Sequence, residues 1–413
     1  MSNQAPQTLK GFRDFLPTEK RKRDFIAATI RKTFETHGFE PVETPTLEYA
    51  SLLLGKYGTE ADKLVYTFAD QGDREIGLRY DQTVPTARLL AQYKHLLPKY
   101  FRRYQIQNVF RAEKPQKGRF RELTQCDCDI FGTKSPLADA EILTVFYNVY
   151  KNIGLNDSQI ILNDRQTLVQ TLSAFATDQI TVFSIIQSID KLDKIAEDGV
   201  IADLITKGLS KEKAIEALDA IQNTDMSQNL ETIRNYAVKL GIPEKALIFR
   251  PTLARGLDYY TGLIFESQVP DYTAGSLGGG GRYDNLIEQL GGDSTSAVGF
   301  AVGFDRTVEI AEQKGLIPSE GATAQVLITI FDKTLAEQSF YIAQLLRNNA
   351  IKSEVYPEIA DKLGKQLKYA NDRQMSFVII VGPDEAKEGI AVLKNMKSGE
   401  EKKGKIEELI KEI

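Results

Sequence analysis

The residues of this chain that could do chemistry are arginines, carboxylates, amides and tyrosines at strand-like spacing. Arg79, Asp81 and Thr83 alternate along one stretch, Arg111 and Glu113 along a second, and Gln125 and Asp129 share a face of a third. Arg255, Tyr259 and Tyr260 fall within six residues beside glycines, and Arg306 heads a helical segment. The chain has only two histidines, His37 and His95, and two cysteines, and no serine or cysteine is visibly paired with histidine. That argues against acyl-enzyme chemistry and histidine-based metal sites. Arginines clamp phosphates and carboxylates in bidentate fashion. Carboxylates accept from ammonium or imidazole groups, or hold Mg²⁺. Such a set suits a zwitterion with a basic side chain lying beside a polyphosphate. Its catalysis would be positioning and charge stabilisation of an in-line phosphoryl or nucleotidyl transfer.

The element that must position this set is the stretch 101–131, which reads as two strands joined by a long basic loop. Strand side chains alternate between faces. Tyr104, Ile106 and Phe110 therefore share one face, and Arg103, Gln105, Gln107 and Arg111 the other. In the second strand Cys126, Cys128 and Ile130 oppose Gln125, Asp127 and Asp129. Such alternation more often marks a half-exposed sheet whose polar face meets water. Here the charge argues otherwise. Between Arg102 and Arg121 lie seven basic residues against the single acid Glu113, in a chain whose net charge is −5. A basic patch on an acidic chain points to phosphate at that spot. The spacing of Cys126 and Cys128 fits neither a metal site nor a disulfide framework, as in a reducing cytoplasm.

The 413 residues, 42% hydrophobic and 26% charged, have globular proportions. At roughly 150 residues per domain, two to three domains are expected. The first residues have no apolar core of a signal peptide, and no run reaches the ~18 apolar residues of a membrane span. Residues 18–37 form an amphipathic helix capped by Thr18, with His37 at its end in a mild dipole role. Before it, Gly11–Pro17 is turn-rich and of no standard local type. Residues 39–45 are an edge or dimer-contact strand, since two prolines forbid a central one. A hairpin spans 64–80, and helices follow near 84–93 and 137–152. From 163 to 250 the composition is helical and polar-faced, a helical insertion. Gly278–Gly281 allow close backbone approach, either to phosphate or to a neighbouring strand. Residues 297–305 are a buried strand. Beyond a linker, strands near 325–330, 351–356 and 376–381 alternate with two helices, a small α/β domain with a mostly parallel sheet.

The chain resembles the class II aminoacyl-tRNA synthetases, and among them the histidyl-tRNA synthetase family, nearly end to end. Gly38–Pro45 is similar to class motif 1, Phe110–Glu113 through Arg119–Arg121 to motif 2, and Gly303–Arg306 to motif 3. The more specific signatures are Leu253–Tyr260, Gly279–Asp284 and Gln125-Cys-Asp-Cys-Asp129. The resemblance implies an α+β fold: an antiparallel-sheet catalytic domain over 1–162 and 251–318, the helical insertion 163–250, and a C-terminal α/β anticodon-binding domain over 324–413. It implies a cytoplasmic homodimer that joins L-histidine to tRNA-His using ATP and Mg²⁺. Arg111 would grip the α-phosphate and the histidine carboxylate, Glu113 the adenine side, and Arg306 the γ-phosphate, with Arg119 also at the nucleotide. Asp81, Thr83 and Gln125 would hold the α-ammonium. Asp129 and Tyr260 would bond the imidazole, with Tyr259 beside them. Arg255 would stabilise transition-state charge, and Lys114 and Gln116 would lie near the tRNA acceptor end. Position 305 is aspartate where the class motif usually has glutamate, and position 81 is aspartate where many bacterial relatives have glutamate. The alternative is the synthetase-like regulatory subunit of ATP phosphoribosyltransferase. That protein shares the fold but generally lacks the anticodon module and the Arg255 segment.

Overall fold

The computed structural model describes residues 6–413 except 56–62, 115–119, 255–258, 291, 319–322 and 360. Two compact units divide the chain, Met1–Ile317 and Pro318–Ile413. The first is built on an eight-stranded sheet in the order β1-β5-β6-β11-β10-β9-β7-β8. Its strands are β1 (Glu40–Pro41), β5 (Phe101–Phe110), β6 (Glu122–Phe131), β7 (Gln159–Asp164), β8 (Leu247–Phe249), β9 (Leu263–Gln268), β10 (Gly278–Arg282) and β11 (Ala297–Gly303). The central pairings are antiparallel, while β1 joins β5 and β8 joins β7 in parallel. A separate three-stranded sheet holds β2 (Leu47–Tyr49), β3 (Thr67–Ala69) and β4 (Glu75–Leu78).

The long hairpin has the register its alternation requires: Tyr104 opposes Cys128 and Ile106 opposes Cys126, while Arg103 opposes Asp129 and Gln105 opposes Asp127. Tyr104, Cys126, Cys128 and Ile130 join a core with Ile26, Ile30 and Phe34 of α1 (Pro17–Thr36). The same core takes Ile142, Phe146 and Tyr150 from α4 (Pro136–Ile153), the helix that follows α2 (Ala50–Leu53) and α3 (Thr83–Tyr93). The sheet's apolar face is thus covered by two helices, as its pattern demands. Its polar face is also buried: Arg103, Gln105, Asp127 and Asp129 are each less than 5% exposed. Water is therefore not what this face was built to meet.

Some local expectations change. α1 starts at Pro17 with no side-chain cap, since Pro17 itself supplies a first-turn position that needs no N–H donor. Gly278–Arg282 is a strand, not a phosphate-cradling loop. A β-carbon at Gly280 or Gly281 would overlap the neighbouring backbone of Gly299 or Leu263, so close strand packing accounts for those glycines. The helix after Asp284 is a single turn, Leu286–Gln289. The stretch 163–250 begins on β7, ends with β8, and carries five helices between them among the described residues. No helix among the described residues is long and apolar enough to cross a membrane.

The second unit is a five-stranded sheet with separate apolar clusters. Strands Val326–Ile328, Ser353–Val355 and Phe377–Ile380 are parallel, and the helices Ala336–Asn348 and Leu363–Asp372 connect them. Two further strands, Ala391–Asn395 and Glu401–Gly404, add an antiparallel hairpin, so the sheet is mixed where the sequence suggested a mostly parallel one. The turn is set by Asn395, whose side chain accepts from the backbone of Lys397 and Ser398, and by Gly399 at φ +77°.

Candidate active site

On the polar face of the eight-stranded sheet lies a cavity of about 460 Å³. Asp81, Thr83, Arg111, Glu113 and Gln125 line it, as do Asp129, Tyr259, Tyr260 and Arg306. Residues drawn from five separated stretches of sequence therefore meet in one place. Asp81 sits in the turn before α3 and accepts from the Val84 N–H at 3.1 Å, which fixes the head of that helix. Thr83 is the helix's first residue. Arg111 follows β5; its backbone N–H continues the ladder to the Arg121 carbonyl, and its Nε donates to the Tyr80 carbonyl at 3.2 Å. Its guanidinium lies 4.6 Å from the Tyr80 ring centroid, a cation–π geometry that fixes its plane. Arg306 stands in the first turn of the helix Phe304–Gln313 and donates to the Ser276 carbonyl at 2.8 Å. The Tyr259 and Tyr260 rings meet at 4.8 Å, and Tyr259 also meets the Tyr283 ring edge-on at 5.8 Å.

The floor of the cavity is a buried charge cluster. Arg103, only 1% exposed, reaches Asp129 at 2.6 Å, and Tyr283 donates to the same carboxylate. Burial pushes the Asp129 carboxyl above the usual carboxylate range, with Arg103 pulling the other way. Asp127 is pushed up further by burial, opposed by Arg103 and reinforced by Asp129 and Asp81. Its Oδ1 is a buried acceptor with no hydrogen-bond partner among the described residues, as is the Oε1 of Gln125. Buried acceptors of this kind invite a donor-rich ligand. Gly299 lies on β11 opposite Asp129, and a β-carbon there would overlap the Asp129 carboxylate. The glycine is the space in which that carboxylate sits.

Arg79 is not part of the cavity. It is buried, and its guanidinium donates to the backbone carbonyls of Thr44 at 2.8 Å and Asn108 at 2.6 Å, tying the turn before β2 to the end of β5. Lys114 is exposed and outside the cavity lining. Arg255, Gln116 and Arg119 lie outside the described residues. Sequence reasoning missed Asp127, Arg103 and Tyr283. Asp127 and Arg103 were on the polar face by alternation, and the hairpin register alone would have set Arg103 against Asp129. Tyr283 lies inside the Gly279–Asp284 signature, but nothing local names its partner, which is 154 residues away. Among the described residues there is no group of three or more side chains arranged to hold a metal ion.

Residues 11–307 match the family model described as histidyl-tRNA synthetase, and residues 325–413 the one described as an anticodon binding domain. A histidine–tRNA ligase of Wolinella succinogenes is 37% identical over 423 aligned positions, which cover 96% of this chain and 95% of the relative. One from Bacteroides fragilis is 38% identical, covering 98% of each chain. The crystal structure of histidyl-tRNA synthetase from Nostoc sp. PCC 7120 superposes with a TM-score of 0.85 at 29% identity, over 98% of this chain and 99% of that one. The chain belongs to the histidyl-tRNA synthetase family.

Proposed function

We propose that the protein is a histidine–tRNA ligase that works in two steps. Histidine attacks the α-phosphate of ATP to give histidyl-adenylate and pyrophosphate, and the histidyl group then passes to the 3′-terminal ribose of tRNA-His. The observation that carries this reading is one cavity lined both by Arg111 and Arg306 and by the carboxylates Asp81, Asp127 and Asp129. The arginines suit the polyphosphate and the carboxylate of the amino acid; the carboxylates suit its ammonium and imidazole. In this reading Arg111 bridges the two substrates, Glu113 faces the adenine and Arg306 the γ-phosphate. Asp81, Thr83 and Gln125 take the ammonium, while Asp129 and Tyr260 take the imidazole. Arg255 stabilises charge at the α-phosphorus. A site that hydrogen-bonds both imidazole nitrogens rejects analogues lacking them by roughly 10⁴–10⁵, because its own buried groups are then left unpaired.

Mg²⁺ fits as a companion of the nucleotide. It is typically held by one or two carboxylates together with substrate phosphates, and Glu266 is a cavity-lining glutamate that would take that part. A homodimer is part of the same reading. The short strand β1 lies at the sheet edge, Leu47, Tyr49 and Phe68 of the smaller sheet are exposed, and light scattering at twice the 46.2 kDa chain mass is the expected result.

Histidine-dependent ATP–pyrophosphate exchange tests the proposal. Exchange with histidine and none with other amino acids is expected. A folded protein that shows no exchange would favour the regulatory-subunit reading. Arg255→Ala should slow adenylation by at least ~100-fold, as loss of a transition-state charge partner does, with the circular dichroism spectrum unchanged. An unaltered rate would remove Arg255 from its role.

A further inference from the structure

The turn-rich segment before α1 has no part in the roles assigned above, yet its contacts converge on the nucleotide side of the cavity. Arg13 donates to Asp305 Oδ1 at 2.8 Å, and Arg23 of α1 donates to the same oxygen at 2.6 Å. The Arg13 guanidinium also lies 3.2 Å from the Phe120 ring centroid and 4.9 Å from that of Phe15. Arg23 continues the stack, 4.0 Å from Phe15 and 4.8 Å from Phe304. The segment is tied down by its backbone as well: the carbonyls of Gly11 and Lys10 accept from the Arg121 N–H at 2.9 Å and from its side chain at 3.2 Å. Phe120, Phe304 and Asp305 line the cavity next to Arg306, and Arg13 does not. Two guanidiniums on one oxygen, each stacked on aromatic rings, form a clamp between the chain start, the arm of the long hairpin and the head of the helix that carries Arg306. The short arm of aspartate at position 305 is what both arginines meet.

We infer that Arg13 is a positioning residue for the ATP half of the site, holding Phe120 and, through Asp305, the helix turn bearing Arg306. The inference rests on the adenylation reading above. On that reading histidine is held by other residues, Asp81, Thr83, Gln125, Asp129 and Tyr260, so the two substrates separate a specific effect from general loosening.

The experiment is pyrophosphate exchange by full-length Arg13→Ala, Arg13→Lys and unmodified protein, with ATP and histidine varied in turn. Arg13→Ala should raise the KM for ATP about tenfold while the KM for histidine stays within about twofold. Arg13→Lys keeps the ion pair with Asp305 but loses the flat stacking surface, so it should recover only part of the loss. Arg13→Ala placed in a Phe120→Ala background should add much less than it does alone, because the two act through one contact. An unchanged KM for ATP, equal rises for both substrates, or full additivity with Phe120→Ala would overturn the inference. Should Arg13→Ala not fold, the Arg13→Lys split between the two KM values decides it. If the unmodified protein shows no exchange, the adenylation reading fails first and this inference with it.

Discussion

At the scale of single residues, the floor of the cavity is the most demanding part of the molecule. Two carboxylates and one guanidinium are taken out of water there, which is tolerable only because they answer one another. Arg103→Leu would leave Asp127 and Asp129 without their buried cation, so a loss of about 3–5 kcal/mol is expected, read as a lower midpoint in urea denaturation. A change below about 1 kcal/mol would mean that both carboxylates are held neutral by burial and need no cation. Gly299→Ala tests the same place from the other side. Its methyl group would displace Asp129, so the KM for histidine should rise at least about tenfold with little change for ATP. Equal kinetics for this variant would show that Asp129 does not meet the amino acid. The types of residue in this cluster could be read in the sequence, since alternation alone puts Arg103, Asp127 and Asp129 on one face. Their pairing with Tyr283 and the room made by Gly299 could not, because both depend on which strands lie beside β6.

At the scale of elements, the long hairpin and the helices against it were legible because each buries one face and period determines which face that is. Departures came where a neighbour overrides local preference. The glycine run suited either a phosphate or a neighbouring strand, and it is a strand, since close backbones on both sides demand glycine there. The end of α1 is a second case. His37 at a helix C-terminus suggests a dipole that favours the charged ring. Burial instead lowers its pKa; Glu141 pulls against that and Arg102 adds to it, and Asn148 lies 3.2 Å from Nε2. The folded state therefore holds the ring neutral more firmly than the unfolded chain does. Its contribution is complete above the unfolded value of about 6.5 and is lost as pH falls below it. His37→Gln should accordingly flatten the fall in urea midpoint between pH 7.5 and 5.5, relative to the parent protein. A slope that stays the same or steepens would place the charged form in the fold.

At the scale of the whole molecule, the chain divides into two units with apolar clusters of their own. The cavity lies entirely within the first, and the second has its own apolar clusters around Val326, Ile342, Ile379 and Leu393, and around Leu327 and Met375. A chain of residues 1–317 therefore keeps every described residue that lines the cavity. Histidine-dependent pyrophosphate exchange by that fragment should stay within about fivefold of the full chain, since no cavity-lining side chain is removed. Charging of tRNA should suffer far more. If the second unit holds the anticodon end, it raises the effective concentration of the acceptor end at the cavity, and tethering of this kind is worth roughly 10²–10⁴. The kcat/KM for tRNA should then fall by at least about 100-fold in the fragment, mostly through KM. A fragment that folds, exchanges pyrophosphate and still charges tRNA at the full rate would refute an anticodon-binding role for the second unit. One that folds but loses exchange as well would mean that the second unit supports the cavity.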